Sequence, residues 1–284
     1  MSERLLLCTD LDRTLLPNGD EPESAGARER FAATAKLSGV TLVYVTGRHR
    51  QLVEDAIDHY RLPAPDYAIT DVGTRIYQIT PGEWQPWLAW EAEIDSDWGG
   101  MQHAQLRELF GDLPELQLQE AGKQNTHKLS FYVPLEIDRE TLLAVMQTRL
   151  AEHGVHASLV WSIDEPAAIG LLDVLPEHAT KLHAIEFLAA KLGFAAQDTL
   201  FAGDSGNDLS VLSSTIPAVL VANASAEVKQ AAQAQAAAAG HAAALYIANG
   251  GFLGMNGNYS AGILEGMAYF YPAFGSRLAD EQRA

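Results

Sequence analysis

The chain has 284 residues, 48% apolar and 20% charged, the balance of a soluble folded protein with material for one large or two modest hydrophobic cores. With 37 acidic against 19 basic side chains the formal net charge is −18, which argues against nucleic acid and phospholipid surfaces, both polyanions, and favours a small-molecule substrate. A single cysteine, Cys8, excludes a disulfide framework, and no apolar stretch has the length of a signal peptide core or a membrane span, so a cytoplasmic location is expected.

Residues 5–8, LLLC, are a continuous apolar run of the kind that forms a strand covered on both faces in a parallel sheet. The run leads into Asp10 and Asp12, one residue apart, with Thr14 two further on. Ligands of open α/β sheets bind beyond the carboxyl ends of the strands, so these carboxylates stand where chemistry is done; the ordinary alternative is a turn residue and a solvated neighbour. A helical pattern over 24–37 precedes a second strand at 40–47, VTLVYVTG, which ends on Thr46 and Gly47, a hydroxyl and an unobstructed backbone amide suited to an anion. A helix over 49–60 and a third strand at 65–73 follow.

Residues 81–168 differ in character, holding all five tryptophans (Trp84, Trp87, Trp90, Trp98 and Trp161, most of them expected in cores) and 15 acidic against 5 basic side chains. The strand pattern at 128–138, followed by a helix to about residue 153, predicts an inserted α+β domain over 81–168. Strands are then expected at 169–175, 198–204, 217–223 and 244–249, with helical patterns between most of them; the Ala-rich run 230–240 is a helix former with no assigned function. This alternation implies βαβ units and a parallel sheet built from 1–80 and 169–284.

Lys181 opens a helix after one of these strands, and GDSGND, residues 203–208, ends another with Asp204 and Asp208 around glycine. Singly, each group has an ordinary reading as cap, turn or solvated residue. Together they make one site. Asp10, the Asp12 carbonyl and Asp204 can hold a hard cation such as Mg²⁺, while Thr46 and Lys181 take the remaining oxygens of a phosphate. With its charge so neutralised, a phosphoryl group is open to attack by Asp10, leaving Asp12 to act as general acid and then base.

DLDRT (10–14), VTGR (45–48), Lys181 and GDSGND (203–208) resemble, in order, the four motifs of the haloacid dehalogenase-like phosphatases. That resemblance implies an α/β fold with a Rossmann-like parallel sheet core and an inserted α+β cap, an aspartyl-phosphate mechanism, and Asp208 supporting the metal site from behind. Where family members often have glycine after the motif lysine, Leu182 stands here. The insertion falls between Thr46 and Lys181, and PDYAITDVGTRIY, TGRH, KLSFYV and GDSGNDLSVL look closest to sucrose-6-phosphate phosphatases and related disaccharide-phosphate phosphatases.

In the cap, strand alternation would put Lys128, Ser130 and Tyr132 on one face and Leu129, Phe131 and Val133 on the other. The polar face is expected to meet the sugar, with Asn125 and His127 as helpers. Gly47, Arg48 and Asn207 complete the substrate-binding set, with His49 beginning a helix. The expected activity is Mg²⁺-dependent hydrolysis of sucrose-6-phosphate; a mannosylfructose- or glucosylglycerol-phosphate substrate is the alternative. A silent partner of a glycosyltransferase would be expected to lack Asp10, Asp12, Lys181 or Asp204, and all four are present. A glycosyltransferase of the same pathway as partner and a monomeric chain complete the expectations.

Overall fold

The computed structural model describes residues 4–164 and 167–280; the expected domain spans also take in 1–3, 165–166 and 281–284, which lie outside the described residues. The strands in chain order are β1 (Leu5–Thr9), β2 (Val40–Val45), β3 (Tyr67–Thr70), β4 (Arg75–Thr80), β5 (Glu83–Pro86), β6 (Gln117–Leu118), β7 (Leu129–Val133), β8 (Ala157–Asp164), β9 (Ile169–Pro176), β10 (Thr199–Gly203), β11 (Ala218–Leu220) and β12 (Leu245–Ile247). The α-helices are α1 (Ala27–Ala35), α2 (Arg50–Tyr60), α3 (Leu88–Asp95), α4 (His103–Leu109), α5 (Arg139–Glu152), α6 (Lys181–Leu192), α7 (Leu209–Leu212), α8 (Ala226–Ala238), α9 (Ser260–Phe270) and α10 (Pro272–Asp280). Among the described residues no helix is long and apolar enough to cross a membrane.

Eight strands form the first sheet in the order β12-β11-β10-β1-β2-β3-β4-β5, parallel from β12 to β3, with β4 and β5 added antiparallel at one edge. The apolar run of β1 is central, and Leu5, Leu6, Leu7 and Cys8 are wholly buried because helices cover both faces. Leu6, Cys8, Val43 and Phe201 join Ile185 and Leu188 of α6 on one side, while Leu5, Leu7, Tyr44 and Leu200 join Ile263 and Met267 of α9 on the other. Each such side chain removed from water contributes about 1.5–3 kcal/mol.

The second sheet has four antiparallel strands in the order β6-β7-β9-β8. One face packs on α4 and α5 through Trp98, Leu106, Leu129, Phe131, Val133, Met146, Leu172 and Val174; the other turns toward the first sheet. The stretch 169–175, expected in the parallel sheet, is therefore corrected: it is β9, pairing with β7 and β8. Its near-continuous apolar run reads as a central parallel strand because Leu172 and Val174 pack on the helices while Leu171 and Leu175, on the other face, line the cavity beside Asp173.

The elements at the front of the expected insertion bear on its boundary as well. The β4–β5 hairpin extends the first sheet to Pro86, and α3 buries Trp90 and Ile94 against Ile185 and Leu188 of the first core, whereas Trp98 belongs to the second. We propose to place the passages between the two units near residues 96–97 and 177–178, rather than at 80/81 and 168/169.

Candidate active site

Parallel register decides what meets at the carboxyl edge of the first sheet. Thr9 of β1 lies opposite Tyr44 of β2 and Ala202 of β10, so the residues just beyond, Asp10, Thr46 and Asp204, emerge side by side. Lys181 reaches them from α6, whose first turn is capped by the Thr180 hydroxyl accepting from the His183 N–H. The Lys181 Nζ lies 3.2 Å from an Asp10 oxygen and donates to Asp208 Oδ1 at 2.7 Å. Thr14 donates to Asp204 Oδ1 at 3.2 Å, joining the first acidic loop to the last.

Asp208 is wholly buried and fully engaged. Its second oxygen accepts from the Asp204 N–H, the Ser205 N–H and the Ser205 hydroxyl, each at 3.1 Å. Gly203 makes room for it, since a Cβ there would lie 2.6 Å from the Asp208 carboxyl carbon. Asp208 thus seats Lys181 and shapes the loop that carries Asp204.

Asp10, Asp204 and Asp208 each offer an oxygen within 4.8 Å of the others, against the one ammonium of Lys181. Burial, opposed by Lys181 and reinforced by the charges of Asp208 and Asp204, pushes the Asp10 carboxyl up to about 7. Burial and the charge of Asp208 push Asp204 up to about 6, against the Thr14 hydrogen bond and Lys181. Burial works against the charge of Lys181, but Asp10 and Asp208 outweigh it and raise its pKa. A buried oxygen cluster with surplus negative charge fits a hard divalent cation. Because Asp208 is committed to four donors, direct coordination would fall to Asp10 and Asp204.

Asp12 is held differently. Arg48 grips it with two parallel hydrogen bonds, Nε to Oδ2 at 2.8 Å and Nη2 to Oδ1 at 2.6 Å, and Asn18 donates to Oδ1 at 2.7 Å. Burial pushes its carboxyl up, but the Arg48 bonds and charge, with Asn18, prevail and hold it below the ordinary range.

Between this edge and the open face of the second sheet lies a cavity of about 630 Å³, lined by Asp10, Asp12, Thr46, Gly47, Arg48, His49, Lys128, Lys181, Asp204 and Asn207 among others. Ten expected site residues therefore converge: the nine of these other than His49 line the cavity, and Asp208 lies behind Asp204 and Lys181. Asn125, Ser130 and Tyr132 do not line it. Asn125 donates to Thr74 Oγ1 at 2.9 Å, the Ser130 hydroxyl donates to Asp173 with the Lys123 carbonyl 3.3 Å away, and the Tyr132 hydroxyl accepts from Lys123 and donates to Glu120. Alternation in β7 is as expected, but the segment 119–124 lies across the face that carries Ser130 and Tyr132. His127 is buried against Asp95, 3.0 Å away, and His49 stands at the N-cap position of α2 without a side-chain capping bond. Residues missed from sequence also line the cavity: Lys123 and Gln119, Ser158, Trp161 and Ser162 of β8, and Asp173 of β9. The signal for Asp173 was there, a lone charge inside an apolar strand.

The family model for sucrose-6F-phosphate phosphohydrolase matches residues 3–271. The chain belongs to that family. A protein of Nitrosococcus oceani classed with the HAD-like hydrolases is 53% identical, over 96% of this chain and 73% of its own length. Sucrose-phosphatase 1 of Nicotiana tabacum is 33% identical over 80% of this chain, which spans about half (52%) of the tobacco protein. The structure of the Synechocystis sucrose-phosphatase, in complex with sucrose and phosphate, shares the fold, with a TM-score of 0.69 over 94% of this chain and 98% of that one at 24% identity. Two-unit architecture is thus common to this chain and to HAD-like proteins with a cap, and the second unit is here the cap.

Proposed function

We propose that this protein is a Mg²⁺-dependent phosphatase that cleaves a sugar phosphate, with sucrose-6-phosphate as substrate. The observation that carries the reading is the Lys181 to Asp10 contact of 3.2 Å at the floor of a cavity roofed by polar groups of the cap sheet. Lys181, the Thr46 hydroxyl and the Gly47 amide bind the phosphate oxygens. Asp10 attacks phosphorus, an O–P bond to its carboxylate forms, and the bond from phosphorus to the sugar oxygen breaks. Asp12, which Arg48 and Asn18 keep ionised in the free site, takes a proton from the bound phosphate monoanion as Arg48 turns to the substrate, gives it to the departing oxygen, and then takes one from the water that opens the aspartyl phosphate and returns it to the released phosphate, which restores both groups. Asp10, Asp204 and the Asp12 carbonyl would hold Mg²⁺, whose charge offsets that of the phosphoryl oxygens and keeps Asp10 ionised. Asp208 orients Lys181, and Lys128, with Asp173 3.8 Å away, faces the sugar.

Phosphate release from a panel of sugar phosphates with Mg²⁺ tests this directly. Sucrose-6-phosphate should give a higher kcat/KM than fructose-6-phosphate, because the second ring supplies contacts to the cap that help align phosphorus. Equal values across the panel would reduce the activity to that of a general phosphatase.

A further inference from the structure

The cap turn at residues 125–128 is tied to the core side chain by side chain. Asn125 donates its amide to Thr74 Oγ1 at 2.9 Å, Arg75 donates to the Thr126 hydroxyl at 3.1 Å, and His127 meets Asp95. The Asn125 side chain is held at both ends, since its oxygen accepts the His127 N–H at 2.8 Å.

Thr74 is wholly buried and closes an unusual turn. Asp71 and Val72 both adopt the left-handed conformation, with φ of 52° and 60°, and Gly73 follows at 94°. For a β-branched residue that conformation is a genuine outlier, held only where surrounding contacts impose it. Those contacts are in the active site. The Asp71 N–H donates to the Arg48 carbonyl at 2.9 Å and the Val72 N–H to the Thr46 carbonyl at 3.3 Å. Gly73 abuts Thr180, the cap of the Lys181 helix, so closely that a Cβ would lie 2.9 Å from the Thr180 carbonyl carbon. The Thr74 hydroxyl passes the cap contact inward by donating to the Asp71 carbonyl at 3.0 Å.

We propose that Asn125 is a positioning residue: through Thr74 it lets the docked cap hold the strained 71–73 turn against the Thr46 loop and the Lys181 helix, so that cap placement sets the alignment of the phosphate-binding groups. The inference rests on the phosphatase reading only in taking Thr46 and Lys181 as those groups. Cap and core become one catalytic unit without Asn125 touching substrate.

A double-mutant cycle of Asn125→Ala and Thr74→Val separates this role from a sugar contact, because Thr74 does not line the cavity. Both p-nitrophenyl phosphate and sucrose-6-phosphate are assayed. Each single variant should lower kcat on either substrate by about ten-fold with KM little changed, since small misplacements of reacting groups cost that much or more. The double variant should be no worse than the singles, and Thr74→Ser, which keeps the hydroxyl, should retain wild-type turnover. Without substrate, amide exchange at Asp71 and Val72 should quicken in Asn125→Ala while thermal melting shows the fold intact. A silent Thr74→Val, or losses that multiply in the double variant, would overturn the assignment. Failure of the sucrose-phosphate reading shows separately, as no preference of the wild type for the disaccharide phosphate.

Discussion

Raising the pH from 5 to 8 should tighten Mg²⁺ binding to the substrate-free protein by about three orders of magnitude. Asp10 stands at about 7 and Asp204 at about 6, so at pH 5 both carry protons that a cation must displace. Each pH unit below a group's pKa costs about 1.4 kcal/mol, so the two protons together cost about 4 kcal/mol at pH 5 and almost nothing at pH 8. That difference is a factor of about 10³ in affinity. The metal-free fold follows the same linkage. Carboxyls whose pKa is raised on folding contribute stability that is full below about pH 4 and lost as the pH rises through 6 to 7. Lys181, also raised, keeps its own contribution across that window because it stays protonated in both states. The metal-free protein should therefore lose stability from pH 4 to 7, and Mg²⁺ should lift Tm most at pH 8. Titration calorimetry in two buffers of different ionisation heat measures both quantities, with about two protons released per Mg²⁺ at pH 5 and almost none at pH 8. An affinity that stays constant from pH 5 to 8, or no proton release at pH 5, would refute the reasoning.

Asp10→Asn should leave circular dichroism and melting close to wild type or better, since it removes a buried charge from a surplus of them, yet abolish phosphate release. Asp12→Asn should cut turnover severely and leave phosphate covalently attached, detectable as a mass increment on intact protein. Gly203→Ala places a methyl 2.6 Å from the Asp208 carboxyl carbon; overpacking of this kind costs about 1–3 kcal/mol, and displacing the seat of Lys181 should lower both Tm and kcat. A Gly203→Ala protein with normal melting and turnover would show that the Asp208 seat is slack. Lys128→Ala should reduce kcat/KM for sucrose-6-phosphate far more than for p-nitrophenyl phosphate, and equal losses on both would remove Lys128 from sugar recognition.

Local pattern in the sequence was enough to gather the groups of the candidate site. Asp10, Thr46 and Asp204 each follow an apolar run, and a residue just past a buried parallel strand has one place to be, the carboxyl rim of the sheet. The same reasoning brings them together before any distance is known, because neighbouring parallel strands in register end at one level. Tertiary structure alone decided the rest. Nothing in IGLLDVL says which sheet will take it, since backbone hydrogen bonds are alike in both and the partner is chosen by packing on α4 and α5. Trp90 and Trp98 are eight positions apart and equally apolar, yet they enter different cores because the passage between the units runs between them. Asn125 looked like a sugar contact from its place beside a polar strand face. Its true partner, Thr74, lies 51 residues away and meets it only because the cap is folded down on the strained turn of the core. Periodicity along a chain reports which side of an element is covered; what covers it depends on contacts between distant segments, and those exist only once the chain has folded.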